Sequence, residues 1–411
     1  MRGKGMTGRA GKASGYRWVV LLVYTIITAA IQIQWLTFAP IAREARLFFD
    51  ATALQIDLFA MVFMIVFLVV CIPASYVIDT YGIRIGVGIG ALLTGVFAMA
   101  KGIFARDYAV VLACQTGLAI AQPFIINAAT KVAMRWFPVN ERATAVGIAT
   151  LSQFVGIIIV MTATPFLIDQ PARGAADLTA MLRIYGFVSA AAAMLLLVFL
   201  RERPDGAQRQ IPAEVPYRFL AGLKHILSRK EMQIILVVFF AGLGAFNAIS
   251  TCIDQICQLK GFSIEQTSLV GGIMLAAGIV GGLTLPPLSD RFRRRKAFLV
   301  LAMAGVIPAL IAMAVSASYP VVLISGFVFG FFLLGTGGPI GFQYSAEICA
   351  PAPESTSQGL ILLVGQVSGI LFVVGMNTIG VVPFMWLFVL LAVASLGLCT
   401  RLTDPEMLQI R

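Results

Sequence analysis

Long apolar runs separated by short polar gaps fill almost the whole chain. Each run is long enough for an α-helix to cross a hydrocarbon core of about 30 Å, which takes about 20 residues. The runs lie at about 17–39, 55–78, 84–104, 108–134, 143–168 and 180–200, and again at about 232–258, 266–288, 297–315, 319–345, 356–379 and 381–400. This pattern predicts an all-α membrane protein with twelve transmembrane helices.

A charged stretch divides the runs into two sets of six. We predict a six-helix half on each side of this linker, with a polar tail at each end of the chain. The predicted units are a tail at 1–16, a first half at 17–200, a linker at 201–231, a second half at 232–400 and a tail at 401–411. The linker holds the only histidine of the chain, His225.

The composition supports a protein of the lipid bilayer. Hydrophobic residues make up 59% of the chain, against about 45–50% in soluble domains, and the mean hydropathy is +0.94. The net charge of +11 is not gathered into a basic stripe on a soluble domain, so we expect no nucleic-acid partner. Most of the basic residues fall in gaps on one side of the predicted topology, which places both termini in the cytoplasm. We expect a monomer in the plasma membrane.

The chain shows none of the residue patterns that common enzymes and metal sites use. Its six cysteines are scattered, without a CxxC pair or a Cys/His cluster. A Ser/His/Asp set, an HExxH string and a phosphate-binding loop are likewise missing from the sequence. The sequence therefore predicts a protein that is not an enzyme and has no catalytic residue, no metal and no cofactor.

One loop motif occurs twice, once in each half. The sequence from Asp79 to Arg84 reads DTYGIR, and 211 positions later the sequence from Asp290 reads DRFRRR. Glycine suits a turn with positive φ, and an acid at a helix end followed by a basic residue can form a charged latch. The two copies resemble the loop signature of the major facilitator superfamily, whose two halves rock around a site near the midplane. The resemblance implies a cytoplasmic gate formed by Asp79, Gly82, Arg84, Asp290 and Arg293.

Polar side chains inside the predicted helices are candidates for a substrate pathway, because they are costly to place in a membrane. They are Gln32, Gln34 and Trp35 in the first run, Gln115, Gln122 and Asn127 in the fourth, Gln153 in the fifth, Asn247, Ser250 and Thr251 in the seventh, and Gln366 in the eleventh. We see no buried lysine or arginine among them, which argues against an anionic substrate. A tryptophan ring can stabilise a cation by about 0.5–2 kcal/mol. Each amide could equally join two helices by a hydrogen bond of about 0.6 kcal/mol.

Two acidic residues lie at the external ends of predicted helices. Asp57 begins the second helix and Asp254 ends the seventh. A proton-coupled carrier usually needs an acid that alternates between solvent and membrane, and neither residue is predicted at the midplane. Their placement favours facilitated diffusion, with coupling through Asp57 or Asp254 as the alternative.

Several longer strings are more specific than the loop motif. They are Gln34-Trp35, LQIDLFAMVFM around Asp57, AQPFIINAATKVAMRWF in the fourth run, GAFNAISTCIDQ from Gly244, and AEICAPAPESTSQG followed by QVSGI from Gln366. Together they resemble the feline leukaemia virus subgroup C receptor-related family over nearly the whole chain. The resemblance implies transport of choline and ethanolamine. Haem, the substrate described earlier for that family, is the alternative, although His225 lies in the linker and not in a spanning helix.

The same resemblance implies a set of substrate contacts. In that family a helix-one tryptophan and a helix-seven tyrosine enclose the ammonium group, beside glutamines from helices five and eleven. The resemblance assigns these roles to Trp35, Gln153 and Gln366, while the tyrosine position holds Asn247. We add Gln34 and Gln122 as further candidates for contact with a small-molecule substrate. A receptor that keeps the fold without transporting is the alternative from another functional class.

Overall fold

The fold is built from α-helices that are long enough to cross a membrane. A computed structural model of the chain describes residues 15–168, 177–202, 226–349 and 354–404. The described part holds twelve helices with the length and hydropathy of membrane spans. The all-α, twelve-helix prediction is therefore confirmed. His225 and most of the predicted linker lie outside the described residues.

The twelve helices form two sets that we call the N half and the C half. The N half contains α1 (Tyr16–Trp35), α2 (Ala53–Tyr81), α3 (Ile83–Ile103), α4 (Tyr108–Ile126), α5 (Val139–Leu167) and α6 (Thr179–Phe199). The C half contains α7 (Lys230–Thr251), α8 (Ile264–Phe292), α9 (Arg295–Val315), α10 (Tyr319–Thr336), α11 (Glu354–Thr378) and α12 (Val381–Cys399). We call the face where α1 begins and α12 ends the terminal face, and the opposite one the distal face.

Several apolar runs contain a helix break that hydropathy alone does not reveal. The helix of the first run ends at Trp35, and short helices follow at Ala39–Ile41 and, beyond the run, at Ala42–Phe49. The fourth, seventh and tenth runs likewise continue as Ala129–Trp136, as Ile253–Gln258, and as a π-turn at Gly337–Gly341 followed by Phe342–Cys349. These breaks place the short helices after α1 and α7 side by side at the distal face.

Many large apolar side chains point away from the protein. Phe166 is 80% exposed, Val69 72% and Met194 68%. A water-soluble protein rarely leaves so many large apolar groups uncovered, whereas lipid tails cover them without cost. The exposed apolar surface is therefore the surface that meets the bilayer.

The two halves meet through α2 against α11 and α5 against α8. At these contacts, side chains of the N half pack directly against glycine residues of the C half. A Cβ atom added to Gly272 would lie 2.5 Å from the Thr162 methyl group, and one added to Gly369 would lie 3.0 Å from the Met64 sulfur. Small residues allow helices in a membrane to approach this closely. The seam is therefore close-packed only while these positions remain glycine.

Replacing Gly272 with leucine should hold the halves apart at the distal face, because overpacking of this kind costs about 1–3 kcal/mol. We expect a longer distance between spin labels at Leu47→Cys and Leu259→Cys, two exposed distal positions. Gly397→Leu is the matched control, because a Cβ atom at Gly397 meets nothing within 4 Å. An unchanged label distance in Gly272→Leu would contradict this account of the seam.

Candidate substrate site and gates

An ion pair joins the two halves at the distal face. Arg43, in the short helix after α1, contacts Asp254, in the short helix after α7. Its Nε and Nη2 donate to Asp254 Oδ1 over 2.9 and 2.7 Å, and its backbone N–H donates to Oδ2 over 2.7 Å. Burial raises the pKa of the Asp254 carboxyl, and the hydrogen bonds and charge of Arg43 oppose that shift. The pair holds the two short helices together.

A second carboxylate joins the halves beside this pair. Asp57 of α2 is 2% exposed, and its Oδ2 accepts hydrogen bonds from three groups of the C half. The donors are Gln255 Nε2 at 2.6 Å, Asn377 Nδ2 at 2.7 Å and Cys252 Sγ at 3.3 Å. In the described part of the chain, the hydrogen bonds that cross between the halves lie at this face. We call Arg43, Asp57, Asp254, Gln255 and Asn377 the distal gate.

Sequence reasoning found the two carboxylates of this gate but not their partners. Gln255 falls inside a string that carries the family resemblance, Arg43 falls in the gap after the first predicted helix, and Asn377 falls at the end of the eleventh. Each partner of Asp57 and Asp254 lies roughly 200 or more positions away along the chain. A single sequence carries no signal for such a contact unless the halves are first placed in space.

At the terminal face, the described ion pairs stay inside one half. They are Arg17 with Glu141 in the N half, Arg135 of the N half with Glu202, the acid just after α6, and Arg295 with Glu347 in the C half. In the described structure, hydrogen bonds and an ion pair therefore join the two halves at the distal face. The described ion pairs of the terminal face do not join them.

The loop motif has a residue with positive φ at the equivalent position of both halves. Gly82 has a φ of 94°, and Arg293, the residue 211 positions later, has a φ of 53°. Arginine occupies a left-handed conformation there although glycine adopts it at lower cost. In the N half the glycine has a second role, because a Cβ atom at Gly82 would overlap the carboxylate of Glu202.

An acid that follows the sixth helix of each half caps the start of the third. The backbone N–H of Arg84 donates to Glu202 over 2.7 Å, and that of Lys296 donates to Asp404 over 2.9 Å. Carboxylates are favourable at these positions because the first N–H groups of a helix lack partners inside it. The cap repeats between halves, which supports a common architecture.

The latch in the C half uses a different arginine from the predicted one. Arg293 is exposed in the turn, whereas Arg295 is 3% exposed. Arg295 donates to Ser289 Oγ over 3.2 Å and to Glu347 Oε1 over 3.4 Å. Arg84, the corresponding basic residue of the N half, is exposed as well. The predicted roles of Asp79 and Asp290 fall on side chains outside the described residues and stay predictions.

Trp35 lies beside the distal gate, between the two halves. It is the last residue of α1, is 8% exposed, and donates from Nε1 to the Ala60 carbonyl over 3.2 Å. Together with Asp57 and Thr251 it lines a small cavity between the halves. Asn247 precedes Thr251 by four positions on α7, so both face the same side. The structure thus brings Trp35 and the Asn247 face of α7 to one interface.

A row of three amides connects α4, α1 and α5. Gln122 Nε2 donates to Gln32 Oε1 over 3.0 Å, and Gln32 Nε2 donates to Gln153 Oε1 over 3.2 Å. Gln32 precedes Trp35 by three positions and therefore shares its face of α1. Gln32 was one of the polar residues of the first run but not a predicted site residue. Its spacing from Trp35 is the signal that could have singled it out.

The C half contributes two amides, one that is hydrogen-bonded and one whose oxygen lacks a partner among the described residues. Asn247 Nδ2 donates to the Gly365 carbonyl over 3.2 Å, which fixes its carboxamide against α11. Gln366 follows that glycine and is only partly buried. Its Oε1 is buried and has no hydrogen-bond partner in the described part of the chain. A free acceptor of this kind can receive an N–H or O–H group of a ligand.

Comparison with known proteins assigns this architecture to a family. Residues 20–373 match the Major Facilitator Superfamily. The chain belongs to this superfamily. It is therefore a multi-pass membrane transporter for a small molecule.

Curated relatives agree with the membership. Solute carrier family 49 member A3 of Danio rerio is 28% identical over 87% of this chain and 77% of its own. The choline/ethanolamine transporter FLVCR1 of Felis catus is 25% identical over 87% of this chain and 67% of its own. The resemblance to this second family, read from the sequence, is confirmed.

Solved structures show the same fold. A bacterial homologue of the human lysosomal transporter Spinster, in an inward-facing and unoccupied conformation, has a TM-score of 0.76 at 16% identity, covering 94% of this chain and 96% of that one. A D-xylose-proton symporter has a TM-score of 0.75 at 13% identity, covering 95% and 99%. The major facilitator fold is therefore confirmed.

Gln34 lies away from the interface between the halves of this major facilitator protein. It is fully buried, and its Nε2 donates to the Tyr185 carbonyl over 3.0 Å and to Ser189 Oγ over 2.8 Å. Both partners belong to α6, so the amide joins two helices of the N half. We therefore leave Gln34 out of the proposed substrate site.

The expectation that no lysine or arginine is buried is wrong. Lys101 is 0% exposed, and its Nζ lies 3.0 Å from Gln115 Oε1 and 5.6 Å from the centre of the Phe38 ring. Lys101 lies inside the third apolar run, near its distal end, and α3, which extends to Ile103, turns the side chain into the N half. Its contacts all lie inside that half, so Lys101 adds no positive charge to the interface between the halves.

We expect Arg43→Met to weaken closure at the distal face, since removing one partner of a buried ion pair costs about 3–5 kcal/mol. The distance between the distal labels should lengthen. Arg106→Met is the matched control, because Arg106 pairs with Asp177 at the same face but both side chains are exposed, 78% and 44%. Such pairs contribute about 0–1 kcal/mol. An equal response of the two variants would refute the gate assignment.

The two arginines of the second loop should respond in opposite ways. Arg295→Met leaves Glu347 without its buried partner, so we expect a lower melting temperature of the purified protein. Arg293→Gly removes a left-handed arginine and should raise stability by about 1 kcal/mol. Melting curves of the two variants beside the wild type test this contrast. A greater loss in Arg293→Gly than in Arg295→Met would show that the latch is misassigned.

Proposed function

We propose that this major facilitator protein is a facilitative carrier of a small organic amine of the choline and ethanolamine type. The observation that carries the proposal is the position of Trp35 between the halves, next to the amide row that ends at Gln153 and opposite the α7 face of Asn247. The name of the feline relative, a choline/ethanolamine transporter, supports the same substrate class.

The described conformation fits one of the two states of an alternating-access cycle. Hydrogen bonds close the distal face, whereas the described ion pairs of the terminal face stay within each half. The positive-inside rule assigns the terminal face to the cytoplasm. On that assignment the state is inward-facing, in a monomer that spans the plasma membrane with both termini inside.

Each half of the site offers a different contact to an amine. The Trp35 ring would stabilise the ammonium group by about 0.5–2 kcal/mol. The unpaired Gln366 Oε1 would accept from a hydroxyl or an N–H group, and a hydrogen bond to a charged donor contributes about 1.5–3 kcal/mol. Asn247 stands where the related family has a second aromatic ring. A primary amine, which has N–H groups to donate, should therefore bind better than a quaternary one.

Uptake of labelled ethanolamine and choline into liposomes that hold the purified protein tests the proposal. Trp35→Ala should raise the apparent KM for ethanolamine by up to about 30-fold, which corresponds to about 2 kcal/mol. Trp386→Ala is the matched control, since Trp386 of α12 is 44% exposed on the lipid side. Gln34→Met should lower the melting temperature but leave the apparent KM unchanged.

Three outcomes would contradict a part of this proposal: the site residue, the transport activity or the substrate class. Equal KM values for Trp35→Ala and the wild type would remove Trp35 from the site. Binding of ethanolamine without uptake or counterflow would favour a receptor on a transporter fold. Uptake of neither amine would return the question to haem and to other small solutes.

A further inference from the structure

One buried charge at the distal gate lacks a counter-charge. Asp57 is 2% exposed, and the guanidinium of Arg43 is already bound to Asp254. In the described part of the chain, the titratable groups that act on Asp57 are the Cys252 thiol and the Asp254 carboxylate. Neither is a cation, and the second is itself acidic. An isolated carboxylate is costly to bury without a positive partner.

The hydrogen bonds around Asp57 treat its two oxygens differently. Gln255, Asn377 and Cys252 all donate to Oδ2. No donor to Oδ1 occurs among the hydrogen bonds of the described residues. A carboxylic acid has this asymmetry, because its carbonyl oxygen only accepts while its other oxygen carries the proton. The donors of the C half therefore leave Oδ1 as the oxygen that can hold a proton.

A small cavity beside Asp57 has room for a water molecule that accepts a hydrogen bond from that proton. Asp57, Trp35 and Thr251 line it, and its volume of about 10 Å³ is room for about one water molecule. Thr251 is 1% exposed, and its hydroxyl has no partner in the described part of the chain. The side-chain oxygens at the cavity are those of Asp57 and Thr251, fewer than the six or more that a hard cation such as Ca²⁺ takes. The geometry favours a proton over a metal cation.

We propose that Asp57 is a protonation site whose proton, taken from the solution at the distal face, closes the distal gate. The proposal rests on the alternating-access cycle proposed above. When the distal face opens, Gln255, Asn377 and Cys252 withdraw with the C half and water surrounds the carboxylate. On closing, a proton adds to Oδ1 and no other covalent bond forms or breaks. The closed state thus binds one proton more than the open state.

The sign of the pH dependence follows from that difference. The state that binds more protons is favoured as the pH falls, so acid at the distal face closes the gate. On the alkaline side, the ratio of closed to open protein should fall by up to about tenfold for each pH unit.

Distances between spin labels test the proposal without substrate. Labels at Leu47→Cys and Leu259→Cys, in a Cys71→Ser background, are measured from about pH 5 to pH 9. Asp57→Asn should stay closed throughout, because its amide oxygen can accept from the C half while its NH₂ group donates into the cavity. Asp177→Asn is the matched control, an exposed acid at the same face, and should keep the wild-type response.

A second variant keeps the test decisive if Asp57→Asn does not fold. Thr251→Val removes the second side-chain oxygen of the cavity, which would hold a water that accepts from the protonated carboxyl, so the midpoint of closure should move to lower pH. The proposal is overturned if the wild-type distances do not change with pH, or if Asp57→Asn keeps the wild-type response. A response to Na⁺ at constant pH in place of a response to protons would also overturn it. A gate that moves with pH in a protein that takes up no amine would refute the proposed function alone.

Discussion

The described conformation depends on two carboxylates that are buried where the halves meet. Inside a membrane a polar group must find its partner within the protein. Asp254 finds Arg43, and Asp57 finds three donors from the opposite half. Each carboxyl group keeps these donors only while the distal face is closed. The glycine seam of α8 and α11 allows that closure, because larger side chains would hold the donors out of reach.

The terminal face is built on a different principle. Two features recur in both halves: Gly82 and Arg293 have positive φ values at equivalent positions, and an acid caps the third helix of each half. The described ion pairs of this face stabilise each half internally. The halves can thus remain rigid bodies while the contacts between them change, which is what an alternating-access transporter requires.

Hydropathy predicted the twelve helices because each crossing of the membrane needs its own apolar run. It did not predict the ends of α1, α7 and α10, since apolar residues continue past the point where the backbone turns. The resemblance of single strings to a known family pointed to Trp35, Gln153 and Asn247. Lys101 was missed because a lysine near a helix end usually extends its charged group to the water, and only the packing of α3 shows that this side chain points inward.

The proposed substrate site and the proposed proton site share one helix face. Asn247 and Thr251 are one turn apart on α7, and Trp35 lines the cavity that holds Asp57. An ammonium group at Trp35 would bring a positive charge close to Asp57. That charge favours the ionised carboxylate and therefore competes with the proton. A cationic substrate would thus replace the proton as the group that neutralises Asp57 in the closed state, whereas a neutral solute of the same size would leave closure dependent on the proton. The charge of the substrate, and not only its shape, therefore enters the equilibrium between the two states.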